Sequence, residues 1–154
     1  MESRAVTVSD IELICRHREE MFREAGRDDA TLRTMTENFR EWLRPRLRDG
    51  SYFGYVLLDA DLPVAGIGLM AIDWPPHPLH PAQDKRAYVL NVYTEKAYRR
   101  RGLAHELMRL ADIAFSERNL QYAVLHSTAT GRPLYEKLGW GTTTEMAKVL
   151  RDAQ

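Results

Sequence analysis

The stretch Leu90-Asn-Val-Tyr-Thr-Glu-Lys-Ala-Tyr-Arg-Arg-Arg-Gly-Leu-Ala104 decides how this chain is read. Its first half has the apolar and aromatic character of a buried strand, and its second half is a short basic loop that runs into a helix. Such a junction makes an anion site. The amides of a first helical turn have no intrahelical acceptor, and the helix dipole adds partial positive charge where they point. Arg99, Arg100 and Arg101 add full charges, Gly102 lets the backbone approach a ligand without a Cβ in the way, and Ala104 keeps the next turn open. The same residues also fit an ordinary basic helix entry, because short glycine motifs are common.

Working outward, Ala87 to Thr94 is apolar on both faces, as expected of a central strand covered on two sides. From Gly102 the set Leu103, Leu107, Met108, Leu110, Ala111, Ala114 and Phe115 describes a long helix, with Asn119 as its C-terminal cap. Tyr122 to His126 forms the next strand, so strand, helix and strand in succession predict a right-handed parallel crossover. Thr130-Gly131-Arg132-Pro133 opens a short helix through Leu138, and Thr142 to Leu150 is expected as a closing strand. On the N-terminal side, Ser9 and Glu12 read as a capping box before a helix marked by Ile11, Ile14, Cys15, Met21, Phe22 and Ala25. A second helix carries Leu32, Met35, Phe39, Trp42, Leu43 and Leu47, disturbed near Pro45 and ended by Asp49-Gly50. Tyr52 to Leu58 and Val64 to Ile72 read as a hairpin. The Pro-rich run from Trp74 to Pro81 is a stiff surface loop.

A chain of 154 residues suits a single domain spanning residues 1 to 154, with no repeat or linker in it. Equal numbers of basic and acidic residues, 22 each, argue against bulk attraction to nucleic acid or an anionic membrane, so any anion site must be local. A single cysteine, Cys15, excludes an intrachain disulfide and a multi-cysteine metal site. No apolar run approaches the length of a membrane span and no secretory leader is evident, so a cytoplasmic protein is expected.

Two motifs now combine. Arg99-Arg100-Arg101-Gly102-Leu103-Ala104 fits the Arg/Gln-x-x-Gly-x-Gly/Ala element of the GCN5-related N-acetyltransferase superfamily, between the right strand and the right helix. Arg132-Pro133-Leu134-Tyr135-Glu136-Lys137-Leu138-Gly139-Trp140 resembles the segment after that family's fifth strand. The resemblance covers nearly the whole chain. It implies an α/β fold with a mixed, mostly antiparallel sheet, helices on both faces, and parallel fourth and fifth strands that splay apart around acetyl-CoA. It further implies that Val92, Tyr93 and Thr94 line the pantetheine arm, and that the loop from Arg99 through Arg100, Arg101, Gly102, Leu103 and Ala104 holds the pyrophosphate. Arg100 departs from the commonest form, in which glycine is frequent at that place.

Acetyl transfer from a thioester to an amine requires a neutral nucleophile, a polarised carbonyl and a protonated leaving thiol. A backbone N–H near Val92, freed by a bulge in the strand, would stabilise the carbonyl oxygen. The motif position of Tyr135 implies a phenol beside the CoA sulfur, as the acid. Asn91 alternates with Tyr93 onto one face of the strand, where it would order water, and the base itself is left open. Trp74 and His77 are expected to wall the acceptor pocket, with His126 at the end of the fifth strand. His77 and His80 alone make no metal site, so no metal is expected. The acceptor is then an amine, on a small molecule or a peptide, and a homodimer is expected from the resemblance. Two other readings are a noncatalytic acyl-CoA-binding regulatory module and a nucleic-acid-binding α/β domain using the arginine run.

Overall fold

The computed structural model of the chain describes residues 1–150. Five strands lie in the order of the sequence: β1 (Glu2–Ala5), β2 (Phe53–Asp59), β3 (Leu62–Asp73), β4 (Lys85–Thr94) and β5 (Ala123–Leu125). The pairs β1–β2, β2–β3 and β3–β4 are antiparallel, and β4–β5 is parallel. Helices α1 (Ile11–Glu24) and α2 (Asp29–Asp49) precede the hairpin, α3 (Leu103–Glu117) forms the crossover between β4 and β5, and α4 (Arg132–Lys137) follows.

Two apolar clusters form on the sheet. Val64, Leu69, Ala87 and Val89 pack with Leu107, Met108, Ala111 and Phe115 of α3. Ile14 and Cys15 of α1 and Phe39 and Leu43 of α2 pack with Tyr52, against which Met70 and Leu90 lean. Leu107 is wholly buried, so truncating it to alanine should cost about 2–5 kcal/mol.

Several boundaries differ from expectation for physical reasons. The capping box lies earlier: Thr7 Oγ1 accepts from Ser9 N–H at 3.3 Å, and Thr7 N–H donates to Asp10 Oδ2 at 2.8 Å. Buried Asp10 is fixed there by Arg4 at 2.8 and 2.9 Å, which draws the start of the structure toward β1. Pro45 leaves α2 unbroken, because Phe39 and Leu43 before the missing N–H and Leu47 after it pack into the same apolar cluster. The end of α3 matches expectation: Asn119 stands just past it with φ +56°, the left-handed conformation that ends a helix.

The closing strand does not form. Residues 141–150 carry no regular structure and are exposed throughout, with Met146 at 93% and Val149 at 95% exposure. β-branched residues favour a strand only where a pleated surface receives them, and this segment makes no backbone ladder with β5.

Candidate active site

The site begins where two strands part. β4 and β5 pair over Ala87–Ala123, Tyr88–Val124 and Val89–Leu125 and no further, so residues 90–94 of β4 continue with that edge unpaired. On its other edge β4 bulges. Gly68 faces Leu90 but Gly66 faces Tyr93, so Ile67 opposes both Asn91 and Val92. Asn91 takes φ +57°, the local conformation that absorbs the extra residue.

Past Thr94 the chain turns into the basic loop. Arg100 and Gly102 both have positive φ, +65° and +77°. An added Cβ at Gly102 would meet nothing within 4 Å. Glycine suits that left-handed backbone, and the space a Cβ would take is left open on the outside of the loop. Glu106 N–H is the first amide of α3 with an acceptor, bonding Gly102 O at 3.1 Å, so the amides of Leu103, Ala104 and His105 stand before it without one among the described residues.

The arginines of this loop do different things. Arg99 donates to Glu24 at 2.8 and 3.0 Å and to Thr94 O at 2.9 Å, so its head is held by the end of α1. Arg101 lies 4.9 Å over the ring of Tyr98, whose hydroxyl donates to Asp59 at 2.7 Å. Arg100 and Arg101 are exposed. Glu95, just before them, is held by Arg16 of α1.

Under the bulge lies a polar network on the α1 side. Asn91 is 4% exposed; its amide donates to Tyr52 Oη at 3.0 Å and its carbonyl accepts from Arg18 Nη1 at 2.8 Å. Tyr52 is fully enclosed, and burial pushes its phenol up despite the Asn91 contact. Buried His17 packs 5.0 Å from the ring of Tyr93. Burial, reinforced by Arg16, lowers its imidazole to about 4 against the opposing pull of Glu95, so it is neutral when folded. Its Nε2 lies 3.6 Å from Glu95 Oε2, too far for a hydrogen bond. The cavity between His17, Tyr52, Gly66 and Asn91 measures about 10 Å³, room for one water at most.

Sequence reasoning missed Arg18, His17 and Tyr52. Their signal was the pair Gly66 and Gly68 on one face of β3: a Cβ at Gly68 would fall 2.0 Å from Tyr52 Oη and one at Gly66 3.1 Å from His17 Nδ1. The strand has glycines where these rings lie across it.

Tyr135 sits on α4, just beyond β5, and packs against the α3-side cluster with Trp140 edge-on at 6.4 Å. Burial raises its phenol, so it keeps its proton at neutral pH. His126 follows β5 directly, 5.9 Å from the ring of Tyr88.

Trp74 and His77 lie elsewhere. Arg86, at the start of β4, is stacked between Trp74 at 4.3 Å and Tyr122 at 4.9 Å, and donates to His80 Nε2 at 3.1 and 3.3 Å. His77 stacks on His80 and on Tyr122, which precedes β5. Those side chains tie the loop to the paired end of β4 and β5, away from the point where the strands diverge.

Residues 12–140 match the model of the Acetyltransferase (GNAT) family, and the chain belongs to that family. A GCN5-related N-acetyltransferase from Ralstonia eutropha JMP134 shares 56% identity and a TM-score of 0.95, with 97% of each chain covered. A predicted acetyltransferase with acetyl-CoA from Clostridium acetobutylicum has a TM-score of 0.86 at 22% identity, over 97% of this chain and 95% of its own. The ribosomal-protein-alanine N-acetyltransferase from Brucella melitensis biovar Abortus 2308 has the same fold at 17% identity and a TM-score of 0.68, over 99% of this chain and 100% of its own. No curated protein matches the sequence at a significant level.

Proposed function

We propose that this chain is an acetyl-CoA-dependent N-acetyltransferase that moves the acetyl group directly to a primary amine. The observation that carries the reading is the divergence of β4 from β5 after Val89, beside a bulge and above the open first turn of α3. The unpaired edge of Val92, Tyr93 and Thr94 suits a pantetheine arm, whose amides can take the place of a neighbouring strand. The amides of Leu103 and Ala104, with the exposed heads of Arg100 and Arg101, suit the pyrophosphate. Arg99 contributes by holding the loop to α1 through Glu24.

The neutral amine forms the new C–N bond at the thioester carbonyl carbon while the carbonyl oxygen takes up negative charge, stabilised by a backbone N–H at the Asn91–Val92 bulge. The C–S bond then breaks, and the sulfur takes the phenolic proton of Tyr135 as it leaves. Because the Tyr135 phenol lies above an ordinary thiol, its proton moves in concert with C–S cleavage, and the phenolate recovers one from solvent. The proton shed by the ammonium passes to water.

Calorimetric titration with acetyl-CoA tests the cofactor site. The native chain should bind and Gly102→Glu, which sets a carboxylate against the pyrophosphate, should not; failure of the folded native chain to bind would overturn the reading. Acetyl-CoA binding without CoA release in the presence of any amine would make the chain a sensor instead. A homodimer is part of the same proposal, supported by the free edge of β5 and by the exposed apolar side chains of Met146, Val149 and Leu150. Sedimentation equilibrium should then report twice the 17.8 kDa chain mass. A cytoplasmic location suits the single buried thiol of Cys15. Among the described residues, no helix is long and apolar enough to cross a membrane.

A further inference from the structure

Arg18 reaches from α1 toward β4 between two aromatic rings, its guanidinium carbon 5.1 Å from the centre of Phe22 and 4.8 Å from that of Phe39. One nitrogen donates to Asn91, while Nε is buried and has no acceptor among the described residues. Burial lowers its pKa, and the titratable groups whose fields reach it are Tyr52, Tyr88 and Cys15. No carboxylate is among them. The neighbours of Arg18 on the same helix differ, since Arg16 holds Glu95 and Arg23 holds Glu19, Glu20 and Asp29.

A half-buried cation without a carboxylate partner among the described residues costs free energy, and stacking on two rings offsets only part of it. The free N–H groups of the guanidinium form a fork that matches a carboxylate or phosphate and gives directional, paired hydrogen bonds. Its one hydrogen-bond partner among the described residues, Asn91, is the bulge residue at the point where β4 has parted from β5.

We propose that Arg18 anchors the acceptor, which is therefore a small primary amine carrying a carboxylate or phosphate close to its nitrogen. The inference rests on the acetyltransferase reading and deepens it. An anion on this guanidinium would lie one side chain from the bulge, leaving the amine of the same small molecule beside the thioester. Arg18 acts in binding, so its loss raises KM for the acceptor and leaves acetyl-CoA affinity unchanged.

The test uses the full chain saturated with CoA, so that the pyrophosphate site is filled. The Arg18 Nε–H resonance is followed while inorganic phosphate or acetate is added. A saturable shift with either is expected, and the stronger of the two identifies the anion class; no saturable shift with both would overturn the proposal. A second arm compares CoA release with matched amines: an amino acid against its amide, and phosphoethanolamine against ethanolamine. The anionic member should have at least tenfold higher kcat/KM, a preference lost in Arg18→Gln and partly restored in Arg18→Lys. Equal rates for the matched members, or a preference that survives Arg18→Gln, would overturn it; if every amine is inert, the anion titration decides. Absence of acetyl-CoA binding in calorimetry defeats the transferase reading and this one together, whereas binding without anion preference defeats this one alone.

Discussion

Arg100 and Gly102 hold left-handed backbone two residues apart, and only one of them is a glycine. Left-handed geometry costs a side chain with a Cβ roughly 1–2 kcal/mol. Gly102→Ala should therefore lower stability by about 1 kcal/mol in urea unfolding without any steric clash, and Gly102→Asn by less, because asparagine tolerates that region. At Tyr135 the expected effect is on chemistry. Tyr135→Phe keeps the ring against Trp140 and should bind acetyl-CoA normally while kcat falls on the order of 100-fold; an unchanged kcat would remove the phenol from the mechanism. The sequence motif exposes the residues of the basic loop because they are contiguous. It could not expose Arg18 or His17, whose neighbours Asn91 and Tyr93 lie more than seventy positions along the chain. Trp74 and His77 were expected at the acceptor on composition alone, and nothing local indicates that Arg86 would gather them at the other end of its strand.

At the scale of elements, the long periodic helices and the β2–β3 hairpin were legible because one face of each repeats at the spacing of its structure. β1 was not, since Glu2–Ala5 is exposed at all four residues and is recruited by backbone pairing to β2. Thr142–Leu150 shows the converse, with strand-like composition and no backbone pairing to the sheet among the described residues. Pro45 makes a sharper test. It is exposed within an unbroken α2, so its packing contribution is small while its missing N–H leaves a helical hydrogen bond unmade. Pro45→Ala should raise stability by about 2 kcal/mol, read as a shift in the urea midpoint at constant slope. A lowered midpoint would mean that the ring is held by packing.

For the whole molecule, buried His17 makes stability depend on pH. Its imidazole titrates near about 4 in the folded chain and near about 6.5 in the unfolded one, so between those values the unfolded chain binds more protons. Stability from the neutral ring is fully present above pH 6.5 and is lost as pH falls toward 4, on the order of 3 kcal/mol in all. Unfolding measured at pH 7 and pH 5 should show roughly half of that loss, and His17→Phe, which cannot take a proton, should flatten the slope over the same interval. A slope unchanged in the variant would assign it to other groups.

The ties between Glu24 and Arg99 and between Arg16 and Glu95 fasten the basic loop to the helix that carries Arg18. On the proposed reading, a pyrophosphate settling on residues 100–104 would pull on the helix against which the amine is placed. The two substrates should then arrive in sequence, acetyl-CoA ahead of the amine, with initial-velocity and product-inhibition patterns of an ordered reaction. Cutting the tie in Glu24→Gln should let either come first, and the timing of a chemical step would be traced to an ion pair that touches neither substrate.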